Sequence, residues 1–247
     1  MAFAVDGIAF DVGNTLILDP FETILRKKAL EIKKAFSESG YSFFEKQIGD
    51  AWSDANDGIN YPFICHFYQE RPVILQCLKL LKVEKAQRPK LATDLLVIYR
   101  NGLKYAIVSD SRIGSLKNVL SQLRSAGKRL VVFGNGRQRS HEIFLSWTGL
   151  LEYFDVVTAS EKIGIEKPNP RAFSYILKAL GTVPERSAYV GDDPANDIGP
   201  AKEMGMYAVQ YVPPNPESMP WRNYNKKIKQ KPDAVIRRFE ELLEILK

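Results

Sequence analysis

Two short apolar runs in this chain end in carboxylates. The first, Gly7 to Phe10, leads into Asp11-Val12-Gly13-Asn14-Thr15-Leu16. The second, Ser187 to Val190, leads into Gly191-Asp192-Asp193-Pro194-Ala195-Asn196-Asp197. Carboxylates gathered at strand ends repel one another unless a cation or a proton offsets them, and hard oxygen ligands beside a phosphate are a usual setting for Mg²⁺. A carboxylate in such a place can serve both as metal ligand and as covalent nucleophile. Between the two turns stands Lys167, in Glu166-Lys167-Pro168-Asn169-Pro170, a cation that could neutralise either. Each feature also has a plainer reading. An Asp before Gly-Asn is common turn chemistry, a Lys before Pro is usually at the surface, and Asp193 and Asp197 can cap a following helix. Capping does not account for Asp192.

These residues need rigid elements to bring them together. Gly7 to Phe10 has the length and turn boundary of a buried parallel strand. From Phe21 to about Lys104 the spacing becomes helical, over Thr23 to Phe36, Phe43 to Ala55, Tyr61 to Leu81 and Leu91 to Arg100. Breaks are expected near Ser39-Gly40, Asp57-Gly58 and Arg88-Pro89. Helices and strands then alternate. Leu116 to Ser125, His141 to Trp147, Pro170 to Leu180 and Ile198 to Met204 read as helices. Arg129 to Phe133, Phe154 to Thr158, Ser187 to Val190 and Tyr207 to Tyr211 read as strands. Ala234 to Ile236 and a closing helix Glu240 to Leu246 complete the series. Such alternation argues for an α/β, Rossmann-like parallel sheet covered on both faces. The expected division is a core of residues 1–18 and 106–247, interrupted by a helical cap, 19–105.

At 247 residues and 45% hydrophobic content the chain can bury a substantial core without disulfides. Its two cysteines, Cys65 and Cys77, have no metal-ligand spacing and read as reduced thiols. The first residues lack a signal-peptide layout and no apolar run approaches membrane-spanning length, so a soluble, cytoplasmic protein with no membrane partner is expected. The formal charge of +6 falls mostly on Arg26-Lys27-Lys28 with Lys33-Lys34, and on Arg222, Lys226, Lys227, Lys229 and Lys231. A solvated helix face and an exposed loop explain both, and no nucleic-acid motif accompanies them.

The two acidic turns and Glu166-Lys167-Pro168-Asn169-Pro170, in this order and on these elements, resemble the haloacid dehalogenase-like (HAD) hydrolase superfamily, subfamily I with a helical cap. The resemblance spans essentially the whole chain. It implies Asp11 as the nucleophile that forms an aspartyl-phosphate, Lys167 as the cation that neutralises nucleophile and phosphoryl oxygens, and Mg²⁺ as cofactor. The metal would be held by Asp11, the backbone carbonyl of Gly13 and, directly, Asp192, while Asp193 and Asp197 would bind it through water or orient the lysine. Thr15, Asn135, Gly136 and Lys167 are the implied phosphate-binding residues.

The chain departs from the family pattern twice. Gly13 stands where the family has a second aspartate, which protonates the leaving oxygen and activates the hydrolytic water, a contribution of about 10²–10⁴ in rate. The family's second motif is a strand ending in Ser or Thr. Two stretches compete for it, Tyr105 to Asp110 and Arg129 to Gly136. The second has the right neighbours, so Gly134 replaces the hydroxyl residue. Asn135 and Gly136 keep backbone N–H groups to cradle a phosphate, and Ser109-Asp110 reads as a helix start.

The resulting expectation is a Mg²⁺-dependent phosphatase acting on a small phosphorylated metabolite, as a monomer or homodimer. One alternative is a catalytically degenerate member that binds a phosphorylated ligand or partner. The other is a dehalogenase-type hydrolase, whose leaving halide needs no proton. Dehalogenases dispense with the metal, whereas this chain keeps Asp192, Asp193 and Asp197. Tyr61, His66, Tyr68 and Arg71 are the aromatic and polar candidates for substrate contact in the insert. Lys27, Lys28, Lys33 and Lys34 offer amines for Schiff-base chemistry but sit on an amphipathic helix. Replacing Lys167 is expected to change stability little.

Overall fold

A computed structural model of the chain describes residues 2–60, 70–214 and 230–247. Its residues divide into two compact units, Met1–Leu18 with Asp110–Lys247, and Asp19–Ser109.

The first unit opens with β1 (Gly7–Phe10), which is buried on both faces. That is why it reads as a continuous apolar run rather than an alternating one. The second unit is helical: α1 (Phe21–Lys27), α2 (Ala29–Glu38), α3 (Glu45–Asn60), α4 (Glu70–Leu80) and α5 (Arg88–Val108). It closes on its own core, including Ile24, Ile32, Phe36, Trp52, Ile74, Cys77, Leu78 and Leu95. The periodicity of Thr23 to Phe36 is realised as two helices with Lys28 between them at φ −104°. The break expected at Asp57-Gly58 does not occur. One helical glycine costs about 1 kcal/mol, and burial of Ile48, Trp52 and Ala55 along the same helix outweighs it.

Tyr105 to Val108, one of the two stretches that competed for the second motif, is the last turn of α5. The division between units therefore falls at Ser109/Asp110, later than 105/106. Ser109 closes α5, its hydroxyl donating to the Ala106 carbonyl. Asp110 accepts the Arg112 backbone N–H and the Arg112 guanidinium, so these residues end one helix and form an Asx turn before the next rather than capping it. The same guanidinium donates to the Thr15 carbonyl at 3.1 Å and to the Tyr211 hydroxyl at 2.8 Å, tying the turn after β1 to the fifth strand.

The remaining elements of the first unit are α6 (Ile113–Ser125), β2 (Arg129–Gly134), α7 (Gln138–Thr148), β3 (Val156–Ala159), α8 (Ser160–Ile163), α9 (Pro170–Leu180), β4 (Ser187–Gly191), α10 (Gly199–Glu203), β5 (Tyr207–Tyr211), β6 (Ala234–Ile236) and α11 (Glu241–Ile245). The six strands form one parallel sheet in the order β3-β2-β1-β4-β5-β6. Ala9, Val131, Tyr189 and Ala208 lie on the face covered by Phe173 and Ile176 of α9 and Ala201 of α10. Their neighbours Ile8, Phe10, Val132, Val190 and Val209 are buried on the other.

Strand order runs outward in opposite directions from the β1–β4 pair. That pair is the topological switch point, where open α/β sheets bind ligands beyond the carboxyl ends of their strands. No helix among the described residues is long and apolar enough to cross a membrane.

Candidate active site

Asp11 leaves β1 with its backbone N–H still bonded to the Val190 carbonyl at 2.9 Å, so the sheet ladder fixes its position beside β4. The turn after it is closed by two bonds, from Asn14 N–H to the Ile17 carbonyl and from Ile17 N–H to the Val12 carbonyl, and these leave the Gly13 carbonyl out of the ladder. Asn14 takes φ +55°, a left-handed conformation that asparagine tolerates better than most residues. The Thr15 side chain is fully buried and its hydroxyl has no hydrogen-bond partner among the described residues.

Lys167 arrives from the loop between α8 and α9. Its backbone N–H donates to the side-chain carbonyl of Asn135, and the Asn135 amide donates back to the Lys167 carbonyl, both at 2.9 Å. The Lys167–Pro168 peptide bond is cis. Held this way, the ammonium donates to Asp11 Oδ1 at 2.6 Å, Asp197 Oδ1 at 2.6 Å and the Tyr189 hydroxyl at 2.8 Å. Burial works against its charge, but the Asp11 and Asp197 carboxylates hold the ammonium well above the ordinary lysine range. Burial raises the Asp197 carboxyl to about 6 despite the lysine beside it. Burial likewise raises the Tyr189 phenol well above its usual value, leaving its proton to reach the Phe133 carbonyl at 3.2 Å.

Carboxylate oxygens of Asp11, Asp192 and Asp197 lie within 4.8 Å of one another, all three residues buried. Two of these carboxylates, those of Asp11 and Asp197, are bonded to the Lys167 ammonium. Buried carboxylates this close together repel one another, and a bound cation or a proton relieves the repulsion. An all-oxygen donor set of this kind suits Mg²⁺.

The structure separates the other sequence candidates from this cluster. Asp193, expected among the metal ligands, turns its carboxylate onto the following turn. It accepts from the backbone N–H groups of Ala195 (2.8 Å) and Asn196 (3.1 Å) and from the Asn196 amide (2.8 Å). It therefore caps the π-helical turn Pro194–Ile198 that leads into α10. Gly136 does not offer its N–H to a phosphate, because that proton goes to Ser160 Oγ at 3.0 Å. Asn135 serves the site by holding the Lys167 backbone. Arg71 is paired with Thr93 Oγ1 at 2.9 Å, and Tyr61, His66 and Tyr68 lie outside the described residues, as do Arg222, Lys226, Lys227 and Lys229. Of the helical-unit lysines, Lys28 pairs with Glu31 and Lys34 with Glu38, and Lys27 lies over the Tyr105 ring, as a solvated face would have them.

Two residues escaped the sequence reading. Tyr189 looks like strand core. Its one signal was a hydroxyl on the same strand face as Gly191. His141 looks like a helix residue, yet its ring lies over Gly134 and Gly136. A Cβ built on Gly134 would meet His141 Cε1 at 2.7 Å. Burial pushes the imidazole down to about 4, with Asp11 pulling the other way and Lys167 adding to the depression.

With this geometry in view, known proteins give the setting. The model of the haloacid dehalogenase-like hydrolases matches residues 5–205. The glyceraldehyde 3-phosphate phosphatase of Methanocaldococcus jannaschii is 29% identical over 246 residues, covering 98% of this chain and 97% of that one. Its counterpart from Methanopyrus kandleri is 32% identical over 170 residues, covering 69% and 70%. The crystal structure of a HAD phosphatase from Thermococcus onnurineus shares the fold, with a TM-score of 0.61 over 97% of both chains at 23% identity. The chain belongs to the haloacid dehalogenase-like hydrolases.

Proposed function

We propose that this hydrolase is a Mg²⁺-dependent phosphatase that acts on a small phosphorylated metabolite through Asp11. The observation that carries the reading is the buried Lys167 ammonium, 2.6 Å from both Asp11 and Asp197, with Asp192 completing the oxygen cluster. Asp11, Asp192 and Asp197 would hold the metal, with the Gly13 carbonyl as a further ligand. Bound there, Mg²⁺ offsets the negative charge of nucleophile and phosphoryl oxygens.

An Asp11 carboxylate oxygen attacks phosphorus, and the bond from phosphorus to the leaving oxygen breaks with its electron pair on that oxygen. Water then attacks the aspartyl-phosphate at phosphorus, releasing inorganic phosphate and restoring Asp11. Lys167 fixes the orientation of Asp11 and stabilises the charge that develops on the transferred group. Gly13 has no proton for the leaving oxygen, so that proton comes from solvent and leaving groups that depart readily are favoured. Similarity to glyceraldehyde 3-phosphate phosphatases at 29% and 32% identity supports a short-chain sugar phosphate as the natural substrate. We assign the helical unit, Asp19–Ser109, the part of a cap that selects the leaving group. Gly13 also favours a second reading, a protein that binds a phosphorylated ligand without turnover.

The test is phosphate release from acyl, nitrophenyl and sugar phosphates with Mg²⁺ and with excess chelator. Activity should require Mg²⁺, vanish in Asp11→Asn, and be greater on acyl and nitrophenyl phosphates. Gly13→Asp should raise turnover of sugar phosphates by about 10²-fold or more if the added carboxyl acts as general acid. A parent that binds Mg²⁺ and vanadate but cleaves neither class would establish the binding protein instead. Undiminished release by Asp11→Asn would exclude this mechanism altogether.

A further inference from the structure

We propose that the His141 imidazole binds the phosphoryl group in this site, from the position that a side chain on residue 134 would otherwise occupy. The proposal rests on the phosphatase reading above and names a ligand-binding residue within it.

The first observation is steric. A Cβ on Gly134 would lie 2.7 Å from His141 Cε1 and 3.2 Å from Nε2, and one on Gly136 would lie 3.0 Å from Nε2. The ring therefore rests on both glycines at the carboxyl end of β2, and a side chain at 134 would require the imidazole at 141 to move. The second is placement. β2 is the direct neighbour of β1, with Val132 opposite Phe10, so the end of β2 lies level with the turn that carries Asp11. Val12 Cγ2 is 3.0 Å from the same built Cβ of Gly134.

The third observation is an unmet hydrogen bond. His141 is only 7% exposed, and its Nδ1 is buried without a partner among the described residues. Buried polar atoms in folded proteins are rarely left so, and the exceptions call for a ligand, an ion or a water. A neutral imidazole offers one N–H donor and one acceptor. In the tautomer protonated at Nδ1 that donor is the unpartnered nitrogen, and a phosphoryl oxygen is an acceptor of the right kind for it.

The ring is also held in place before any ligand arrives. In the first turn of α7, Gln138 donates its backbone N–H to Glu161 Oε2 and accepts the Ala159 N–H on its side-chain oxygen. Its amide donates to the Val157 carbonyl. These bonds fasten the helix start to the end of β3 and to α8. Gly136, under the ring, is bonded through its N–H to Ser160 and through its carbonyl to the Glu161 N–H. A donor positioned by its own scaffold loses little freedom on meeting its ligand.

Packing alone would explain a ring over two glycines but not a dependence of anion affinity on its nitrogens. The experiment measures inorganic vanadate binding, with Mg²⁺ present, to the parent, His141→Phe, His141→Asn, Lys167→Ala and the exchange variant Gly134→Ser/His141→Ala. Thermal unfolding is followed in parallel. His141→Phe keeps the ring and should weaken vanadate by at least tenfold, as expected for loss of a hydrogen bond to a charged group. The exchange variant, which returns a hydroxyl to residue 134 and clears the space for it, should recover affinity to within a few-fold of the parent. With only two histidines in the chain, imidazole ¹⁵N shifts give an independent reading. One ring should respond to vanadate in the parent.

Vanadate bound as tightly by His141→Phe and His141→Asn as by the parent, while Lys167→Ala loses it, would overturn the role of His141 and leave the phosphatase reading standing. No vanadate binding by the parent would overturn both. If His141→Phe proves unfolded, His141→Asn and the exchange variant decide the matter by the same comparison.

Discussion

Lys167 is 5% exposed and its ammonium lies between two buried carboxylates. Replacing it with Ala removes the cation and leaves Asp11 and Asp197 without their partner. Breaking a buried pair costs about 3–5 kcal/mol, because the surviving charge stays desolvated. The sequence suggested little change in stability, since it presented the lysine as a partner of nucleophile and phosphoryl group and gave no sign of its burial. Lys167→Ala should lose about 3 kcal/mol in urea unfolding with chelator present, and Mg²⁺ should restore part of that by supplying another cation. A metal-free variant as stable as the parent would contradict the buried triad. At this scale the gathering of Asp11, Lys167, Asp192 and Asp197 was legible because a carboxylate or ammonium at the end of an apolar run has few structural uses. Spacing left Asp193 open between a metal ligand and a cap, because caps are local bonds, and the structure shows its carboxylate on the following turn. Tyr189 and His141 were hidden because an aromatic ring in a strand or helix looks like core until its neighbours are known.

Elements decide how closely those residues approach. β4 is buried along its whole length and paired on both sides, by β1 and β5, so its carboxyl end cannot shift. A Cβ on Gly191 would lie 2.5 Å from Asp197 Cγ and Oδ2, a separation real atoms do not adopt. Gly191 therefore lets the Asp197 carboxylate cross the strand end to reach Lys167 Nζ and the Asp193 N–H at 3.0 Å. Gly191→Ala should displace that carboxylate, destabilise the protein by about 1–3 kcal/mol as overpacking does, and lower kcat/KM at least tenfold. Gly114→Ala in α6 is the control, since a Cβ there meets nothing within 4 Å and should be neutral or mildly stabilising. If Gly191→Ala matched this control in both activity and stability, the close approach would not matter. The sequence placed α9 and β5 at their observed limits, because Asn169-Pro170 starts the helix, Gly181 stops it and β5 is bounded by turns. It missed the continuity of α3 through Gly58 and of α5 to Val108, where tertiary burial overrides local breakers.

Across the whole molecule, alternating helix and strand periods made the α/β class and the helical insert legible. Strand order was not, because periodicity shows that a strand is buried and is silent about its neighbours. The helical unit nonetheless carries its own test in Cys77. This thiol is fully buried among Val73, Ile74, Leu78 and Leu91 of the unit's core, and burial pushes it from 9.0 up to about 12. The thiolate is the reactive form, so at pH 8 the shift alone leaves about a thousandfold less of it than in an unfolded chain. A folded-state value above the unfolded one means that the native form keeps its proton longer. Stability contributed here is intact below about pH 9 and falls as pH rises toward 12. In a Cys65→Ala background, Cys77 should therefore resist a disulfide reagent at pH 8 in native buffer. It should react at least 10³-fold faster in urea, where the helical core is open. Labelling at the unfolded rate under native conditions would show that α3, α4 and α5 do not close over this residue as described. Protection lost at a urea concentration where the α/β unit is still folded would instead show that the helical unit opens by itself, with its own core setting its stability.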